Sequence, residues 1–525
     1  MGIASKSVGH TSRAYTALMV PKRNRHVRCD EEKPDCSNCR KIGLVCSNLQ
    51  WNQMGVPVYQ DVEDFRNSFL PRPRHALSVP KSSGILLNTD GSRALHFFQT
   101  QTLPTMCSVF PSELWERSLL AVGHSVPAIM HLTVAIGAYH RKISSLGFDT
   151  WQKLGYIDTL DSTILYALEH HAEATRLVRE SVSSQNPPIR MIKLACVLFT
   201  MLEFLRGNRS ATISHLTNGM RLLKLPGKSR QLDPFERGVD STLSRLSLTQ
   251  SLYGRPRSTL FPDLWIIPDV ACAEPLTTLQ DARTAIMNLS NLVLLFVRKV
   301  EQSETSPQTL DILAEQERLS LQLSQWSNAV DTLALEIHGN PGRRAIDLLR
   351  GYHAISVIFL KTITTQYQTS FDQYIPNFQT FVDNIELVLH TLMDAAEVPV
   401  LFSLDLGVIP CLFFTAIKCR HPQIRRRAVA LLRKAPQREC LWNAEEAAIV
   451  AEQAIKFEER YIGDAEAEGA YCIPEEARLH DVDIREMSLE GEESISIVFR
   501  WRPYATCTKL EESHVCIRRF ANASV

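Results

Sequence analysis

The chain has 525 residues, of which 45% are hydrophobic and 22% charged, and its formal net charge at pH 7 is zero. This composition excludes a disordered or fibrous protein, and the length exceeds that of one ordinary domain, so we expect a small module joined to a large folded body. Although the net charge of the whole chain is zero, its amino terminus is basic, because residues 1–50 carry nine Lys or Arg and four Asp or Glu. Positive charge concentrated in so short a segment predicts a polyanionic partner.

Composition divides the chain into four predicted parts. Residues 1–21 are a disordered or atypical start, 22–47 a compact cysteine-rich segment, 48–92 a linker with repeated prolines, and 93–525 a large domain. The first 20 residues contain no apolar core of the length that a secretion signal needs. The thirteen cysteines are therefore expected to be reduced thiols rather than a disulfide framework.

Four cysteines lie close together in the second part, with the spacing Cys29-x6-Cys36-x2-Cys39-x6-Cys46 and Pro34 between the two halves. Zinc binds deprotonated sulfur in tetrahedral sites, and short loops supply such ligands in reduced proteins. Neighbouring lysines and arginines favour the thiolate form. The spacing therefore predicts a zinc site, and a chance cluster of cysteines is the alternative.

The cysteine-rich segment contains an incomplete internal repeat. Moving its second half back by 17 residues places the last cysteine of that half on Cys29 and the first two on Met19 and Lys22. The first half thus has a basic helix and a final cysteine, but it lacks the two cysteines that should begin it.

This pattern resembles the fungal six-cysteine binuclear zinc cluster, in which Cys-x2-Cys-x6-Cys, a loop with proline and a second Cys-x2-Cys-x6-Cys follow one another. The resemblance implies zinc as the cofactor, bound by the matches to the family's last four ligands, which are Cys29, Cys36, Cys39 and Cys46. Residues other than cysteine stand at the first two ligand positions. In the family the first of these cysteines bridges both zinc ions, so its absence affects both metal sites.

In that family the helix after the second cysteine enters the major groove of DNA at a CGG triplet, and dimers set the spacing of the half-sites. The corresponding residues here are Arg23, Arg25, His26 and Arg28. The resemblance assigns Arg25 and His26 to base edges, since an arginine fork can reach O6 and N7 of guanine, and the other two to phosphates. The alternative for this basic run is a nuclear import signal or a solvated helix face, neither of which needs metal.

Beyond residue 93 the apolar residues recur with helical spacing, and Gly and Pro separate the segments. The predicted helices are 113–123, 127–141, 160–182, 189–206, 210–225, 235–253, 279–300, 309–335, 343–368, 378–395, 408–419, 422–434 and 443–461. Only 494–501 alternates as a strand does. The sequence therefore predicts an all-α fold with at most one short strand pair.

Two of these stretches are expected to be buried. The helix within 192–205 is apolar on more than one face and belongs in the middle of a bundle. The stretch 118–140 has no Lys, Arg, Asp or Glu, but it contains His and Pro, so a helix pair inside the protein suits it better than a membrane span.

Two charged stretches are expected to face solvent. The hairpin 408–434 should place the arginines 425–427 outside, as a solvated helix face rather than a second polyanion site. The acidic stretch 464–493 should be a solvated loop, and an acidic activation tail is the alternative.

Five segments of the large domain resemble the regulatory domain that follows the zinc cluster in many fungal transcription factors. They are 97–141, 194–223, 243–254, 405–442 and 478–484. Their order and spacing extend the resemblance over most of the large domain. It implies a helical regulatory body rather than an active site.

An enzymatic function would rest on two patterns. VGHSVP at 122–127 is similar to the nucleophile elbow Gly-x-Ser-x-Gly, but Pro127 replaces the last glycine and no alternation of strands and helices surrounds it. His170 and Glu173 share a helix face, as in carboxylate metal sites, yet the sequence has no second copy of that motif. We therefore predict that the protein is not an enzyme, and a serine hydrolase acting through Ser125 is the third interpretation.

Together these features predict a nuclear DNA-binding transcription factor that regulates RNA polymerase II genes. Its predicted partners are DNA with CGG-type half-sites, proteins of the transcription machinery and, from the family's dimer spacing, a second copy of the chain, with no membrane. The alternative is a co-regulator that acts through protein partners without binding DNA directly, because the cluster is incomplete. The abrupt start of the match at Arg23 also predicts an upstream exon that encodes the two absent cysteines.

Overall fold

The computed structural model of the protein describes residues 87–106, 110, 115, 119–146, 161–223, 234–252, 276–302, 310–337, 339–395, 402–403, 407–460, 473–489, 492–504 and 510–518. These residues belong to one compact unit, 79–525. The cysteine-rich segment at 22–47 lies outside the described residues.

Helices make up most of the described residues. In chain order they are α1 Thr89–Phe97, α2 Leu103–Met106, α3 Leu119–Ser125, α4 Pro127–Leu146, α5 Ser162–Val182, α6 Ile189–Leu205, α7 Arg209–Leu223, α8 Pro234–Leu252, α9 Leu279–Gln302, α10 Leu310–Glu336, α11 Asn340–Thr362, α12 Ile375–Ala395, α13 Ile409–Lys418, α14 Pro422–Leu432 and α15 Ala444–Glu459. Each predicted helix overlaps one of α3 to α15, so the all-α prediction is confirmed. Helices α1 and α2, joined by a π-helical turn at Phe98–Thr102, lie outside the predicted segments.

Local sequence explains where several helices begin. The side chains of Asn88, Asp161 and Asn443 accept hydrogen bonds from backbone N–H groups in the first turns of α1, α5 and α15. Proline stands in the first turn of α11, α13 and α14, where its missing N–H would have no helical partner. Short polar side chains and prolines thus fix these boundaries.

The helices enclose two hydrophobic cores. The first is formed mainly by α1 to α8, and the second by α9 to α15 together with the carboxyl-terminal sheet. Every residue of 192–205 in α6 is buried, so that prediction is confirmed. The two charged residues of this stretch are paired: Lys193 lies 2.9 Å from Asp240, and Glu203 lies 2.6 Å from Arg206.

Two small sheets complete the fold. The first joins β1 Phe402–Ser403, β2 Arg438–Glu439 and β3 Trp442–Asn443, with β1 and β2 parallel and β2 and β3 antiparallel. The second is antiparallel and joins β4 Leu479–Leu489, β5 Glu492–Trp501 and β6 Glu511–Arg518 in that order. The described residues thus contain more sheet than the single strand pair expected, although the predicted strand at 494–501 lies within β5.

The second sheet corrects the expectation that 464–493 is a solvated loop. Within that stretch β4 packs on the second core, where Val482 and Ile484 are buried. The acidic residues of β4 have a cationic partner on the next strand, since Arg500 donates a hydrogen bond of 2.8 Å to Asp481. Strand pairing and this ion pair hold the acidic residues in the sheet.

Helices α3 and α4 form the helix pair predicted for 118–140. Leu132, Ile136 and Ala138 of α4 are fully buried in the first core. None of the helices in the described part of the chain is both long and apolar enough to cross a membrane.

Candidate functional site

The residues predicted to bind zinc and DNA lie outside the described part of the chain, so their placement stays a prediction. They are Cys29, Cys36, Cys39 and Cys46 for zinc, and Arg23, Arg25, His26 and Arg28 for DNA. Among the described residues, no group of three or more His, Cys, Asp or Glu side chains could hold a metal ion. The described body offers three other features: a buried arginine–glutamate network, a buried carboxyl group at a helix start, and a cavity.

The three consecutive arginines 425–427 of the α13–α14 hairpin do not all face solvent, contrary to the prediction from the sequence. Arg425 is fully buried. Arg426 is half exposed and lies 2.8 Å from Glu459, and Arg427 lies 2.8 Å from Asp383. The prediction that all three face solvent is therefore wrong for Arg425. Because the other two are paired with carboxylates, the three arginines do not form a free basic patch.

Arg425 belongs to a buried network centred on Glu458 of α15. The Glu458 carboxylate lies 2.7 Å from Arg425 and 2.9 Å from Arg420. It also accepts a hydrogen bond of 2.8 Å from the backbone N–H of Leu479. Burial raises the pKa of Glu458, but the two arginines outweigh burial, so the net pKa is lowered and the carboxylate is charged. The network joins the hairpin, α15 and the start of β4.

A second buried carboxyl group, that of Glu439 in β2, lies at the start of α13. Its two oxygens accept hydrogen bonds from the backbone N–H groups of Val408 at 3.0 Å and Ile409 at 2.8 Å. Burial raises the pKa of Glu439 to about 7, although these N–H groups act in the opposite direction. Beside it, the Tyr352 hydroxyl donates to the Gly407 carbonyl at 2.7 Å. Glu439 thus connects the first sheet to α13 through a group that titrates near neutral pH.

The patterns considered for an enzyme do not form catalytic geometry. Ser125 ends α3, and its hydroxyl donates to the Val122 carbonyl at 3.0 Å, whereas a nucleophile elbow needs a strand-to-helix turn. His170 is part-buried, and its Nδ1 lies 3.0 Å from Nδ1 of His131 in α4. Glu173 pairs with an arginine of its own helix.

A cavity of about 600 Å³ lies in the second core, between α9, α11, α13 and the second sheet. Aromatic side chains form much of its wall, among them Phe359, Phe371, Phe413, Phe414 and Trp442. The ring centroids of Phe359 and Phe414 are 4.5 Å apart. Its volume is that of small-molecule binding sites in proteins, and its wall combines this aromatic surface with polar side chains.

Three cationic side chains reach the cavity from α13 and from the end of β5. Lys418 donates hydrogen bonds to three neutral oxygens, two backbone carbonyls of β4 and the side chain of Gln368. Arg500 pairs with carboxylates on β4 and β6. Arg502 donates to the Gln366 carbonyl at 3.2 Å, and its Nε has no hydrogen-bond partner among the described residues. The same wall also carries the carboxylates of Glu301, Asp481 and Glu512, so its formal charges balance, and Arg502 Nε is a donor without a partner in the described part of that wall.

The sequence gives little sign of these features. The cavity lining runs from Leu248 to Glu512, and Arg425 and Glu458 are 33 residues apart, so the fold alone brings them together. One signal is present in α13, an almost wholly apolar helix that ends in Lys418. A buried lysine at the end of such a helix must find polar partners, and here these lie on the cavity wall.

Two family models match the chain. Residues 93–454 match the fungal specific transcription factor domain, and residues 23–53 match the fungal Zn(2)-Cys(6) binuclear cluster domain. The first match covers more than half of the chain, so the protein belongs to the family of fungal specific transcription factor domain proteins. The second domain binds zinc, which is the cofactor of the cysteine-rich segment.

Two curated relatives are similar over most of their own length. The "Aspercryptin biosynthesis cluster-specific transcription regulator atnN" of Emericella nidulans is 22% identical over 558 residues, which cover 87% of this chain and 90% of the relative. The "Transcription regulator lscL" of Purpureocillium lilacinum is 23% identical over 377 residues, 65% of this chain and 86% of the relative. No solved structure matches the chain.

The two domains and the two relatives together define the chain as a DNA-binding transcription regulator that uses a zinc cluster. The family consists of transcription regulators rather than enzymes, and such proteins act in the nucleus.

Proposed function

We propose that the segment 22–47 contacts DNA at CGG-type half-sites and that the helical body regulates this contact. In this proposal Arg25 and His26 contact base edges, while Arg23 and Arg28 contact phosphates. The observation that carries it is the match to the cluster domain, which begins at residue 23 and so retains the basic helix. The first 50 residues contain nine basic and four acidic side chains, and this positive charge supports a polyanionic partner.

Cys29, Cys36, Cys39 and Cys46 hold one zinc ion in this proposal. Four thiolates close one tetrahedral site, whereas the two ions of the complete cluster share six cysteines. Because the first two ligand positions are not cysteine here, the metal fixes the basic helix less firmly. DNA binding should then be weak, strongly dependent on salt and only slightly selective for CGG.

The chain further regulates RNA polymerase II genes of a biosynthetic gene cluster, as a homodimer that recruits the transcription machinery. The name of the relative from Emericella nidulans, which describes a cluster-specific regulator, supports this assignment. The length over which that relative aligns supports a shared architecture.

The experiment measures zinc content and DNA affinity of the full-length protein. We expect about one zinc ion per chain, which Cys39→Ser removes and the matched control Cys516→Ser, at an exposed cysteine of β6, retains. Combined Met19→Cys and Lys22→Cys substitution should raise the content to about two ions and create a preference for a CGG duplex over the same duplex with the triplet replaced. Two zinc ions in the unmodified chain would contradict the proposal.

One observation favours a second candidate, a co-regulator that acts only through protein partners: Met19 and Lys22 stand where the first two ligands should be. Under that candidate the unmodified chain would bind neither the CGG duplex nor the control duplex, even at low salt, where the first proposal expects weak binding to both. The measurement of DNA affinity therefore distinguishes the two candidate functions.

A further inference from the structure

We propose that the cavity between α9, α11, α13 and the second sheet binds a small organic acid with an apolar body, whose negative charge lies beside Arg502. Neither family match nor either relative's name assigns a ligand to this cavity. The inference does not depend on how the cysteine-rich segment binds DNA.

The inner wall favours an apolar ligand body, because its hydroxyl groups already have partners. Ser290 and Ser356 lie 2.8 Å from each other, and Ser356 also donates to the Tyr352 carbonyl at 2.8 Å. The Thr362 hydroxyl donates to the Ile358 carbonyl at 2.7 Å. This part of the wall therefore presents aromatic and aliphatic surface, and a ligand gains affinity there by burying carbon atoms.

The unsatisfied donor of Arg502 favours an acidic group beside it. Arg502 forms no ion pair with a carboxylate of the described chain, and its Nε lacks a hydrogen-bond partner there. Lys418, which is itself buried, donates hydrogen bonds to three oxygens of the same wall. An anionic oxygen would supply the acceptor that Nε lacks through a charge-assisted hydrogen bond. A cationic ligand would leave this Nε without an acceptor.

The position of the cavity gives the ligand a way to influence the body. Lys418, at the end of α13, donates to the carbonyls of Leu479 and His480 in β4, so the cavity adjoins the contact between α13 and the second sheet. A ligand that contacts both elements binds the folded body and not the unfolded chain. Binding should therefore raise the thermal midpoint in proportion to the logarithm of ligand concentration.

The test uses two fluorescent probes with the full-length protein. Anilinonaphthalene sulfonate is an apolar anion, and N-phenyl-naphthylamine has a similar ring system without the charge. We expect the anionic probe to bind with one site per chain and to be displaced by dodecanoate. Arg502→Gln should weaken the anionic probe about tenfold or more and leave the neutral probe unchanged. The matched control Arg433→Gln, an exposed arginine outside the cavity lining, should change neither.

Two variants that fill the cavity test its location. Ile363 and Ile417 line the cavity and are only partly buried, so Ile363→Trp and Ile417→Phe should reduce the binding of both probes. Circular dichroism and thermal unfolding show which of the two variants keeps the wild-type fold. Probe binding by that variant then tests whether the ligand occupies this cavity. The proposal is overturned if neither probe binds, if Arg502→Gln weakens both probes equally or neither, or if a correctly folded filled variant binds both probes as the wild type does.

Discussion

Arg425 and Glu458 form an ion pair in which both side chains are fully buried, with 2.7 Å between guanidinium and carboxylate. Arg425 belongs to α14, Glu458 to α15, and Arg420 from the turn between α13 and α14 contacts the same carboxylate. Removing one member of a buried pair leaves its partner charged in surroundings of low polarity, which is more unfavourable than losing a surface pair. The packing of α14 against α15 therefore depends on both residues.

Arg425→Ala should destabilise the helical body by about 3 to 5 kcal/mol, because Glu458 stays buried with one cation instead of two. The matched control is Arg426→Ala, since Arg426 pairs with Glu459 at the surface and its loss should change stability by at most about 1 kcal/mol. Urea unfolding of the full-length protein measures both. Similar unfolding midpoints for the two variants would show that the buried pair contributes no more than the surface pair.

The sequence predicts the helices of this body well, because periodicity is local and α3 to α15 each have a clear apolar pattern. It fails where the deciding partner is distant. The position of Arg425 among three consecutive arginines suggested solvent, but a carboxylate 33 residues away accounts for its burial. The acidic residues of β4 likewise predicted a solvated loop, but in the structure Arg500 of β5 donates a hydrogen bond to Asp481. Long-range charge pairing leaves no periodic trace in a single sequence.

The candidate sites also differ in whether a short motif in the sequence can predict them. The four cysteines and the basic run predict zinc and DNA binding from short spacing alone, although their geometry lies outside the described residues. The cavity depends on how α9, α11, α13 and β5 pack, so no short motif indicates it.

Glu439 should make the stability of the body depend on pH near neutrality. Burial raises its pKa in the folded state to about 7, from an ordinary value of 4.5. The unfolded chain therefore releases this proton at a lower pH than the folded chain, and stability falls as pH rises from 4.5 towards 7. The expected loss is on the order of 3 kcal/mol.

Glu439→Gln should remove this pH-dependent loss, which urea unfolding at a series of pH values would measure. Glu452→Gln changes a solvent-accessible carboxylate of α15 and should leave the loss in place. An unchanged pH profile for Glu439→Gln would mean that other groups cause the dependence.

Gly407 leaves room for the Glu439 carboxylate. A Cβ atom at this position would lie 2.0 Å from Oε1 of Glu439, and the carboxylate cannot withdraw without losing its bonds to Val408 and Ile409. Gly407→Ala should therefore destabilise the body by roughly 1 to 3 kcal/mol in thermal or urea unfolding.

The matched control for Gly407→Ala is Gly123→Ala in α3, where the nearest atom to an added Cβ is Met130 Cε at 3.7 Å. Alanine in a helix is favoured over glycine by up to about 1 kcal/mol, so this variant should be neutral or slightly stabilising. Equal stability changes for the two variants would remove the argument that Gly407 makes room for Glu439.

The roles assigned to the basic helix can be separated once both missing cysteines are restored. In the protein with Met19→Cys and Lys22→Cys, Arg25→Ala should reduce the preference for CGG by about 1 to 3 kcal/mol, because it removes a bidentate contact to guanine. Arg23→Ala should instead weaken binding to every sequence and lower the slope of log affinity against log salt by about one, because it removes a phosphate contact. Fluorescence anisotropy with matched CGG and control duplexes at several salt concentrations measures both effects. If Arg23→Ala changes the CGG preference and Arg25→Ala changes only the salt slope, the two roles are reversed and the helix enters the groove in a different register.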